Sequence, residues 1–458
     1  MTSPLFSSLA LSTEMLANLE SLDYQEMTPI QAASLPIILQ GQDIIAKAKT
    51  GSGKTAAFGI GLLTQLDVKN FSVQGLVLCP TRELADQVAK ELRRLARFTH
   101  NVKILTLCGG VSIGPQIGSL ERGAHIVVGT PGRIVDHIRK NTLKLEAVTQ
   151  LVLDEADRML DMGFTDDIEL VLAACNSERQ TLLFSATYPE QIKKISAHCQ
   201  KNPQEVSIEE THTQEHIEQH FYELQEHQNK TLAVQHLLSH FKPQSSIIFC
   251  NTKIQCHELY ETLRERDISA LALHGDLEQR ERDQVLVRFS NRSCSVLIAT
   301  DVAARGIDIK GLDAVINYEL SHDPEVHVHR VGRTGRAGEK GLALSLLSQK
   351  EVGRLNRLED YLQLRLTLET LPVVTEDVSI KPAMVTLCID GGKKDKLRPG
   401  DIIGALTKEA GLPFEQIGKI DMFEFCAYVA VDMGIAKQAL KHLQDGRLKG
   451  RKFRARRL

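Results

Sequence analysis

The 458-residue chain has no Cys-x-x-Cys pair, although it contains nine cysteines. Cys79, Cys108 and Cys250 fall within short apolar runs, which is typical of small residues buried in strands. Scattered thiols of this kind favour a reducing compartment and exclude a cysteine-rich structural zinc site. We therefore expect a protein without disulfides or structural zinc.

Long apolar segments are also missing. No run approaches the eighteen apolar residues that a membrane-spanning helix needs, and the first six residues contain no basic stretch leading into an apolar one. The sequence therefore predicts a cytoplasmic protein that is neither exported nor inserted into a membrane. It does not indicate an oligomeric state.

Charge is nearly balanced over the whole chain, with a net charge of −3, but it is unevenly distributed. Residues 381–458 contain 16 Lys and Arg against 9 Asp and Glu, whereas the remainder of the chain is acidic. A basic C-terminal segment on an acidic body indicates a polyanionic partner for that segment.

A phosphate-binding loop is the most informative motif. It runs from Ala48 through Lys49, Thr50, Gly51, Ser52 and Gly53 to Lys54 and Thr55, between an apolar run and a predicted helix. Backbone N–H groups at a helix N-terminus bind phosphate, Lys54 is placed to reach the β- and γ-phosphates, and the Thr55 hydroxyl is a candidate Mg²⁺ ligand. The alternative is a glycine-rich turn ahead of a core helix.

Apolar runs that alternate with charged helical segments predict an α/β fold with parallel sheets covered on both faces. The pattern restarts after a polar stretch at 209–229, and a second linker lies near 370–382. Beyond it the predicted order is strand 384–389, helix 398–409, strands 417–422 and 425–431, helix 433–444 and strand 450–456. We therefore predict domains at 1–208, 209–371 and 382–458, with a linker at 372–381.

Two groups of residues suit nucleotide hydrolysis. Asp154 and Glu155 follow an apolar strand, where Asp154 would be a Mg²⁺ ligand and Glu155 the base that orients water. Arg333 and Arg336 lie among glycines, and guanidinium groups suit phosphoryl oxygens. Read individually, the first group could be an acidic helix start and the second a solvated turn.

Taken in order, these motifs resemble those of a DEAD-box RNA helicase of superfamily 2 over residues 1–370. The resemblance implies two RecA-like domains that bind ATP and Mg²⁺. It implies that Gln31 reads adenine, with Tyr24 and the upstream Phe6 nearby, and that Asp308 contacts the ribose. Asp23 and Met27 depart from the usual Gly and Pro of this adenine motif.

The resemblance also implies coupling and RNA-binding roles. Ser185 and Thr187 would couple hydrolysis to strand separation, together with Asp157 and His329. RNA backbone contacts would fall on Arg82, Gly110, Thr130, Arg133, Asn251, Gln279, Arg282 and Thr300.

The C-terminal segment is similar to the RNA-recognition-type domain of the DbpA subfamily, whose members bind large-subunit (23S) ribosomal RNA. This implies ribosomal RNA and pre-large-subunit particles as partners. The stacking signature is degraded, since Tyr428 is its one clear aromatic, Cys426 replaces another and Glu424 occupies a usually basic position. The basic residues are therefore the better RNA-binding candidates. They are Lys393, Lys394, Lys396, Arg447, Lys449, Arg451 and Lys452.

Two other functions remain open on the sequence. An ATP-gated RNA clamp would keep the phosphate loop with little unwinding, and a DNA-directed translocase belongs to the same superfamily. Gln31, the Asp154–Asp157 motif and the C-terminal domain argue against the translocase, and Glu155 with both arginines argues against the clamp. ATPase stimulation by RNA or by DNA distinguishes these classes.

Overall fold

The computed structural model describes residues 4–48, 51–188, 190–208, 217–225, 228–304, 311–335, 340–373 and 380–458. The chain divides into two compact units, one made of the described residues up to 208 and the other of those from 217 onward. No helix in these ranges is long and apolar enough to cross a membrane.

The first unit contains a seven-stranded parallel sheet. Its strands are β1 (Ile44–Lys47), β2 (Gly75–Leu78), β3 (Ile104–Leu107), β4 (Ile126–Gly129), β5 (Gln150–Leu153), β6 (Gln180–Ser185) and β7 (Gln204–Ser207). The spatial order is β3-β4-β2-β5-β6-β1-β7. Strands β2, β4, β5 and β6 are buried along their whole length, as expected for a parallel sheet with helices on both faces.

Helices cover the two faces of this sheet. They are α1 (Thr13–Ser21), α2 (Pro29–Leu39), α3 (Lys54–Thr64), α4 (Arg82–Leu95), α5 (Gly114–Leu120), α6 (Pro131–Arg139), α7 (Ala156–Asp161), α8 (Thr165–Ala174) and α9 (Glu190–Cys199). One core packs α1 to α4 against the sheet, and a second core packs α6 to α9 on the opposite face. The functional motifs follow the carboxyl ends of the strands between these layers, where ligands bind in open α/β sheets.

The second unit begins with another seven-stranded parallel sheet. Its strands are β8 (Ile217–Glu223), β9 (Ser246–Cys250), β10 (Ala270–Leu273), β11 (Val296–Thr300), β12 (Ala314–Asn317), β13 (Gly341–Leu347) and β14 (Leu368–Glu369), in the spatial order β10-β11-β9-β12-β13-β8-β14. Its helices are α10 (Lys230–Phe241), α11 (Lys253–Glu265), α12 (Gln279–Ser290), α13 (Asp301–Ala304), α14 (Pro324–Val331) and α15 (Val352–Leu362).

A four-stranded antiparallel sheet follows within the same unit. Its strands are β15 (Met384–Ile389), β16 (Ile417–Met422), β17 (Ala427–Asp432) and β18 (Ala455–Arg457), in the order β16-β17-β15-β18. Helix α16 (Pro399–Gly404), extended by a π-helical turn at Ala405–Glu409, and helix α17 (Ala436–Asp445) cover one face. The predicted fold class, two parallel-sheet RecA-like domains followed by a small α+β domain, is confirmed.

Two sequence predictions for the small domain need correction. The third strand starts at Ala427 rather than 425, because residues 423–426 form a turn closed by the Phe423 N–H, which donates to the Cys426 carbonyl. The last strand covers Ala455–Arg457 rather than 450–456. A separate tight turn precedes it, in which Leu448 and Arg451 pair across Lys449 and Gly450 at positive φ.

Candidate functional site

The phosphate loop leaves the buried strand β1 and enters helix α3. The Ala48 N–H donates to the Ser185 carbonyl at 3.1 Å, which joins the start of the loop to the end of β6. Gly51 and Gly53 have φ of 87° and 98°, a conformation that favours glycine. Lys49 and Thr50 lie outside the described residues. The described part of the loop directs a helix N-terminus towards the strand ends, as an anion site requires.

Gln31 connects helix α2 to this loop. Its Oε1 accepts from the Thr28 N–H at 2.9 Å, and its Nε2 donates to the Gly53 carbonyl at 3.1 Å. A Cβ at Gly53 would lie 2.5 Å from this Nε2, so the contact itself requires glycine there. A glutamine amide has further donor and acceptor capacity, and the predicted adenine contact is compatible with these two bonds.

The two aromatic residues of the predicted adenine motif differ in their surroundings. Phe6 is buried in the first core, with its ring edge-on to Tyr24 at 6.0 Å. The Tyr24 hydroxyl donates to Glu91 at 2.9 Å, and burial together with the Glu91 charge raises the pKa of Tyr24 to about 12. Phe6 thus has a core-packing role in addition to its predicted role beside the nucleotide.

Asp154 is a buried carboxyl at the end of β5. Burial raises its pKa to about 7, while the Lys54 ammonium opposes this shift and the Glu155 carboxylate adds to it. The Lys54 Nζ donates to the Ala48 carbonyl at 2.7 Å, so the ammonium is held inside the loop. An Asp154 carboxylate and the Thr55 hydroxyl provide oxygen donors, which fit Mg²⁺.

Glu155 begins helix α7 in an unusual backbone conformation. Its φ is 52°, in the left-handed region that non-glycine residues rarely adopt. The side chain is buried and its Oε2 lies 3.3 Å from the Arg158 Nη1. A buried carboxylate fixed by local backbone strain and an ion pair is oriented in advance, as a general base requires.

Asp157 and Thr187, both predicted to act in coupling, are in direct contact. The Asp157 Oδ2 accepts from the Thr187 N–H at 3.0 Å and from its Oγ1 at 3.1 Å. The nearby Ser185 hydroxyl is buried with no hydrogen-bond partner among the described residues. The segment after β6 is therefore joined to the Asp154–Asp157 motif through Thr187 and to the phosphate loop through the Ser185 carbonyl.

We expect Thr187→Val to retain ATP hydrolysis but to lower the number of RNA duplexes opened per ATP. Valine keeps the volume of threonine and removes one of the two hydrogen bonds to Asp157. A hydrogen bond to a charged group contributes about 1.5–3 kcal/mol, so the loss should be measurable. The measurement is the ratio of unwinding rate to ATPase rate.

Thr181→Val provides a control for this experiment. Thr181 lies on the same strand, β6, and its buried hydroxyl has no hydrogen-bond partner among the described residues. The control should keep the wild-type ratio of unwinding to hydrolysis. An equal decrease in both variants would contradict a specific role for the Thr187–Asp157 contact.

In the second unit, the central polar residue is Arg330, which the sequence did not single out. Its side chain is 1% exposed and pairs bidentately with Asp301, at 2.7 Å for both contacts. It also donates to Asn251 Oδ1 at 2.8 Å and to the Glu319 carbonyl at 2.8 Å. This arginine connects the segments that follow β9, β11 and β12 to helix α14.

Arg333 and Arg336, the two arginines predicted to contact the phosphoryl group, follow α14 in the sequence. The Arg333 N–H donates to the Arg330 carbonyl at 3.1 Å, and the Arg333 side chain is half-buried. His329 is likewise half-buried on α14. Arg336 and Asp308 lie outside the described residues, so their predicted roles stay predictions.

Comparisons with known proteins agree with this arrangement. The family profile DEAD/DEAH box helicase matches residues 28–195, the Helicase conserved C-terminal domain matches 229–338, and the DbpA RNA binding domain matches 386–457. The chain is 55% identical over 452 residues to the ATP-dependent RNA helicase DbpA of Escherichia coli, covering 98% of this chain and 99% of that protein. The chain belongs to the DEAD-box ATP-dependent RNA helicases of the DbpA type.

Further relatives are similar to the helicase over about four fifths of its chain. The DEAD-box ATP-dependent RNA helicase CshA of Bacillus cereus is 47% identical over 355 residues, which cover 77% of this chain and 67% of that protein. The structure of Saccharomyces cerevisiae Dbp5 bound to RNA and ADP BeF3 is 32% identical, with a TM-score of 0.72, and covers 80% of this chain and 96% of that chain.

The predicted RNA contacts of the helicase's first domain lie after strands β2, β3 and β4. Arg82 begins α4, and its Nε lies 4.0 Å from the Asp86 Oδ2. Gly110 has a φ of 75°, and Thr130 is the residue before α6. Arg133 is more constrained, since its guanidinium donates to Gln116 Oε1 at 3.1 Å and to the Val111 carbonyl at 2.9 Å. The structure therefore gives Arg133 a role in holding the loop before α5.

In the second unit, the predicted RNA residues are also bonded within the protein. The Asn251 amide accepts from Arg330 and donates to the Leu320 carbonyl at 3.1 Å. Gln279 donates to Asp283 at 2.9 Å, and Arg282 donates to the Ala303 carbonyl at 2.6 Å. Thr300 is half-buried at the end of β11. If Asn251 contacts RNA, it does so with an amide whose oxygen and nitrogen both already form hydrogen bonds within the protein.

The prediction that Tyr428 stacks on an RNA base needs correction. Its side chain is 2% exposed and packs with Cys388 against Val287 of helix α12, so it does not present a stacking surface. Burial is the main cause that raises the pKa of Tyr428, with Cys426 adding to the shift. The sheet face on which an RNA-recognition domain would stack bases is covered by the helicase's own second domain.

The basic candidates of the C-terminal domain are exposed and form a surface that we call the basic loop surface. It consists of Lys393, Lys394, Lys396, Arg447, Lys449, Arg451 and Lys452. The Lys449 Nζ donates to the Lys396 carbonyl at 2.9 Å, which joins its two segments. A Cβ at Gly391 would clash with the Phe453 ring, so these segments approach closely. Positive charge from distant parts of the sequence is thereby collected on one side of the domain.

His327, on α14, has a buried neutral imidazole. Its ring nitrogens have no hydrogen-bond partner among the described residues, and burial, with the Arg330 charge second, lowers its pKa to about 3. Because the folded pKa lies below the unfolded value of about 6.5, stability is complete above pH 6.5 and falls as the pH drops towards 3. The free energy of unfolding of the wild type should fall between pH 7 and pH 5. We expect His327→Leu to make this decrease smaller by about 1–2 kcal/mol.

Thermal unfolding at pH 7 and pH 5 measures this effect. The same substitution at His322, an exposed histidine just before α14, is the control and should leave the acid-induced loss in place. An unchanged loss in His327→Leu would show that another group governs acid sensitivity.

Proposed function

We propose that this helicase acts on large-subunit (23S) ribosomal RNA and pre-large-subunit particles in the cytoplasm, where it opens or remodels structured RNA. The observation that carries the proposal is the basic loop surface on a C-terminal domain of the DbpA type. Core contacts to the RNA backbone position RNA without reading its sequence, so a separate domain has to select the substrate.

We further propose the predicted roles for the nucleotide site. Lys54 holds the β- and γ-phosphates after leaving the Ala48 carbonyl, and Thr55 and Asp154 hold Mg²⁺. The ion would neutralise charge on the phosphate oxygens when bound. Glu155 orients the attacking water and accepts its proton, while Arg333 and Arg336 stabilise the transferred phosphoryl group. The similar Dbp5 structure is bound to RNA and ADP BeF3, which supports the proposal that this chain binds RNA and a nucleotide.

The predicted domain limits are part of the proposal. They assign 1–208 to ATP binding, 209–371 to the second RecA-like domain, 372–381 to a linker and 382–458 to RNA anchoring. In this arrangement, Asp157, Ser185, Thr187 and His329 couple hydrolysis to RNA opening, and the linker keeps the anchored RNA at a high local concentration near the core.

ATPase activation of the intact chain tests the substrate. Activity is measured with 23S ribosomal RNA, an unrelated RNA of equal length and single-stranded DNA. We expect the ribosomal RNA to activate at the lowest concentration and DNA to be inactive. The triple change Lys393→Glu, Lys394→Glu, Lys396→Glu should abolish the preference while leaving activation at saturating RNA.

A charge-matched control is available within the same domain. Lys408, Lys437 and Lys441 are exposed on the helical layer, outside the basic loop surface. Changing all three to Glu should preserve the preference for ribosomal RNA. Equal activation by both RNAs in the wild-type protein would contradict 23S selectivity, and activation by DNA would favour a translocase.

A further inference from the structure

We propose that Phe425 is the side chain of the C-terminal domain that stacks on an unpaired RNA base. This inference rests on the proposed RNA-anchoring function of that domain. It assigns the stacking role to a residue in the turn between β16 and β17 rather than to Tyr428 on the sheet face.

The sheet face is already covered by helix α12 and the residues after it. Val287 packs on Cys388 and Tyr428, and all three side chains are buried. Asn291 and Ser293 form hydrogen bonds with the Thr386 hydroxyl, and Lys419 donates to Ser290 at 2.9 Å. A base could reach Tyr428 only after this apolar and polar contact is broken. Stacking in the described arrangement therefore needs a different aromatic residue.

Phe425 is exposed at a fixed position. Its side chain is 71% exposed at the tip of the turn that spans residues 423–426. The turn is attached to the neighbouring loop by two backbone hydrogen bonds, from Lys393 N–H to the Phe423 carbonyl and from Lys394 N–H to the Glu424 carbonyl, both 2.9 Å. The backbone that carries the ring is thus held by its neighbours, which reduces the ordering cost of binding.

The same two bonds place the backbones of two lysines next to the turn that carries the ring. Lys393 and Lys394 are exposed members of the basic loop surface, and Lys394 lies 4.0 Å from Glu424 at its closest approach. This exposed ion pair is weak and readily exchanged for phosphate. A Cβ at Gly392 would lie 2.5 Å from the Phe423 carbonyl oxygen, so glycine allows the loops to approach this closely. An exposed aromatic residue and exposed lysines on adjoining loops are the combination that binds a base and its phosphate.

Exposure of an aromatic side chain does not by itself indicate a binding site. Phe414, a second exposed phenylalanine of this domain, provides the comparison with Phe425. Its side chain is 61% exposed, but it precedes β16 and is followed by Glu415. The six residues of β16 separate it from the Phe425 turn by about 20 Å. Phe414 therefore provides a matched aromatic position in the same domain, at the opposite end of one strand.

The experiment measures binding of the intact protein to a 23S ribosomal RNA transcript at several salt concentrations. We expect Phe425→Ala to weaken binding roughly 5- to 150-fold, the range for loss of one stacked base, with the salt dependence unchanged. Phe425→Trp should bind as well as the wild type, and Phe414→Ala should remain within twofold of it. The double change Lys393→Glu, Lys394→Glu should weaken binding and flatten the salt dependence.

These outcomes separate the inference from the proposed function. If Phe425→Ala binds within twofold of wild type while the lysine variant binds weakly, stacking by Phe425 is wrong and RNA anchoring stands. If the wild type binds an unrelated RNA of equal length as tightly as the ribosomal transcript, the proposed substrate is wrong. Photo-crosslinking provides a second measurement: p-azidophenylalanine at position 425 should label unpaired nucleotides, and at position 414 it should label none. Labelling confined to paired regions at 425 would overturn the proposal.

Discussion

Replacing Glu155 with glutamine should lower RNA-stimulated ATP turnover by about 10²- to 10⁴-fold while ATP binding is retained. The amide keeps the shape of the carboxyl and can still orient water, but it cannot accept the proton. Glu155 is buried and begins α7 with a φ of 52°, so its backbone is fixed by the strand-to-helix transition after β5. The measurement is kcat for ATP hydrolysis with saturating RNA, together with equilibrium ATP binding.

Stability has to be measured in the same experiment. Glu155 pairs with the buried Arg158 at 3.3 Å, and a neutral amide leaves that guanidinium with less compensation. A lower Tm is therefore expected, but with a folded protein at the assay temperature. Asp166→Asn, an exposed carboxylate in the first turn of α8, makes the same chemical change and should leave turnover unaffected. Near-normal turnover in Glu155→Gln would remove this residue from the mechanism.

That the motifs assigned to the nucleotide site lie at one edge of a sheet could be predicted from sequence for a physical reason. Short apolar runs must be strands in a sheet with two covered faces, and polar residues that follow them must collect at one edge. Asp154, Ser185 and the phosphate loop meet at such an edge. The contact between Asp157 and Thr187, 30 residues apart, is a direct consequence of β5 and β6 being neighbours.

The same reasoning failed for the C-terminal sheet face. Tyr428 sits on a strand as predicted, and a local pattern indicates an exposed stacking residue. Its burial depends on Val287, a residue of another domain about 140 positions earlier in the chain, and no periodicity within either segment indicates that contact. The turn that exposes Phe425 was missed for a related reason, because its residues Phe423, Glu424, Phe425 and Cys426 include none of the Gly, Asn or Asp residues that mark turns.

Arg330 could not be distinguished from its neighbours by sequence, yet its replacement is expected to have the largest effect on stability. Arg330→Met should lower the free energy of unfolding of the second unit by about 3–5 kcal/mol, the range for removing one partner of a buried ion pair. Asp301 would lose both of its 2.7 Å contacts, and Asn251 and the Glu319 carbonyl would each lose a donor. The guanidinium also lies 5.2 Å from the centre of the Phe249 ring.

A double-mutant cycle measures the coupling energy between Arg330 and Asp301. Asp301→Asn alone should also destabilise the unit, since it leaves Arg330 buried with a weaker partner, and the double variant should be less destabilised than the sum of the single ones. Arg354→Met is the control, because this more exposed arginine contacts Glu351 at 3.7 Å and the Leu320 carbonyl at 2.9 Å, and should cost about 1 kcal/mol or less. Additive effects of the Arg330 and Asp301 changes would show that their contact does not hold the segments together. Strong coupling would mean that this buried pair fixes the ends of β9, β11 and β12 against α14, and thereby positions the helix that carries His329 and leads to Arg333.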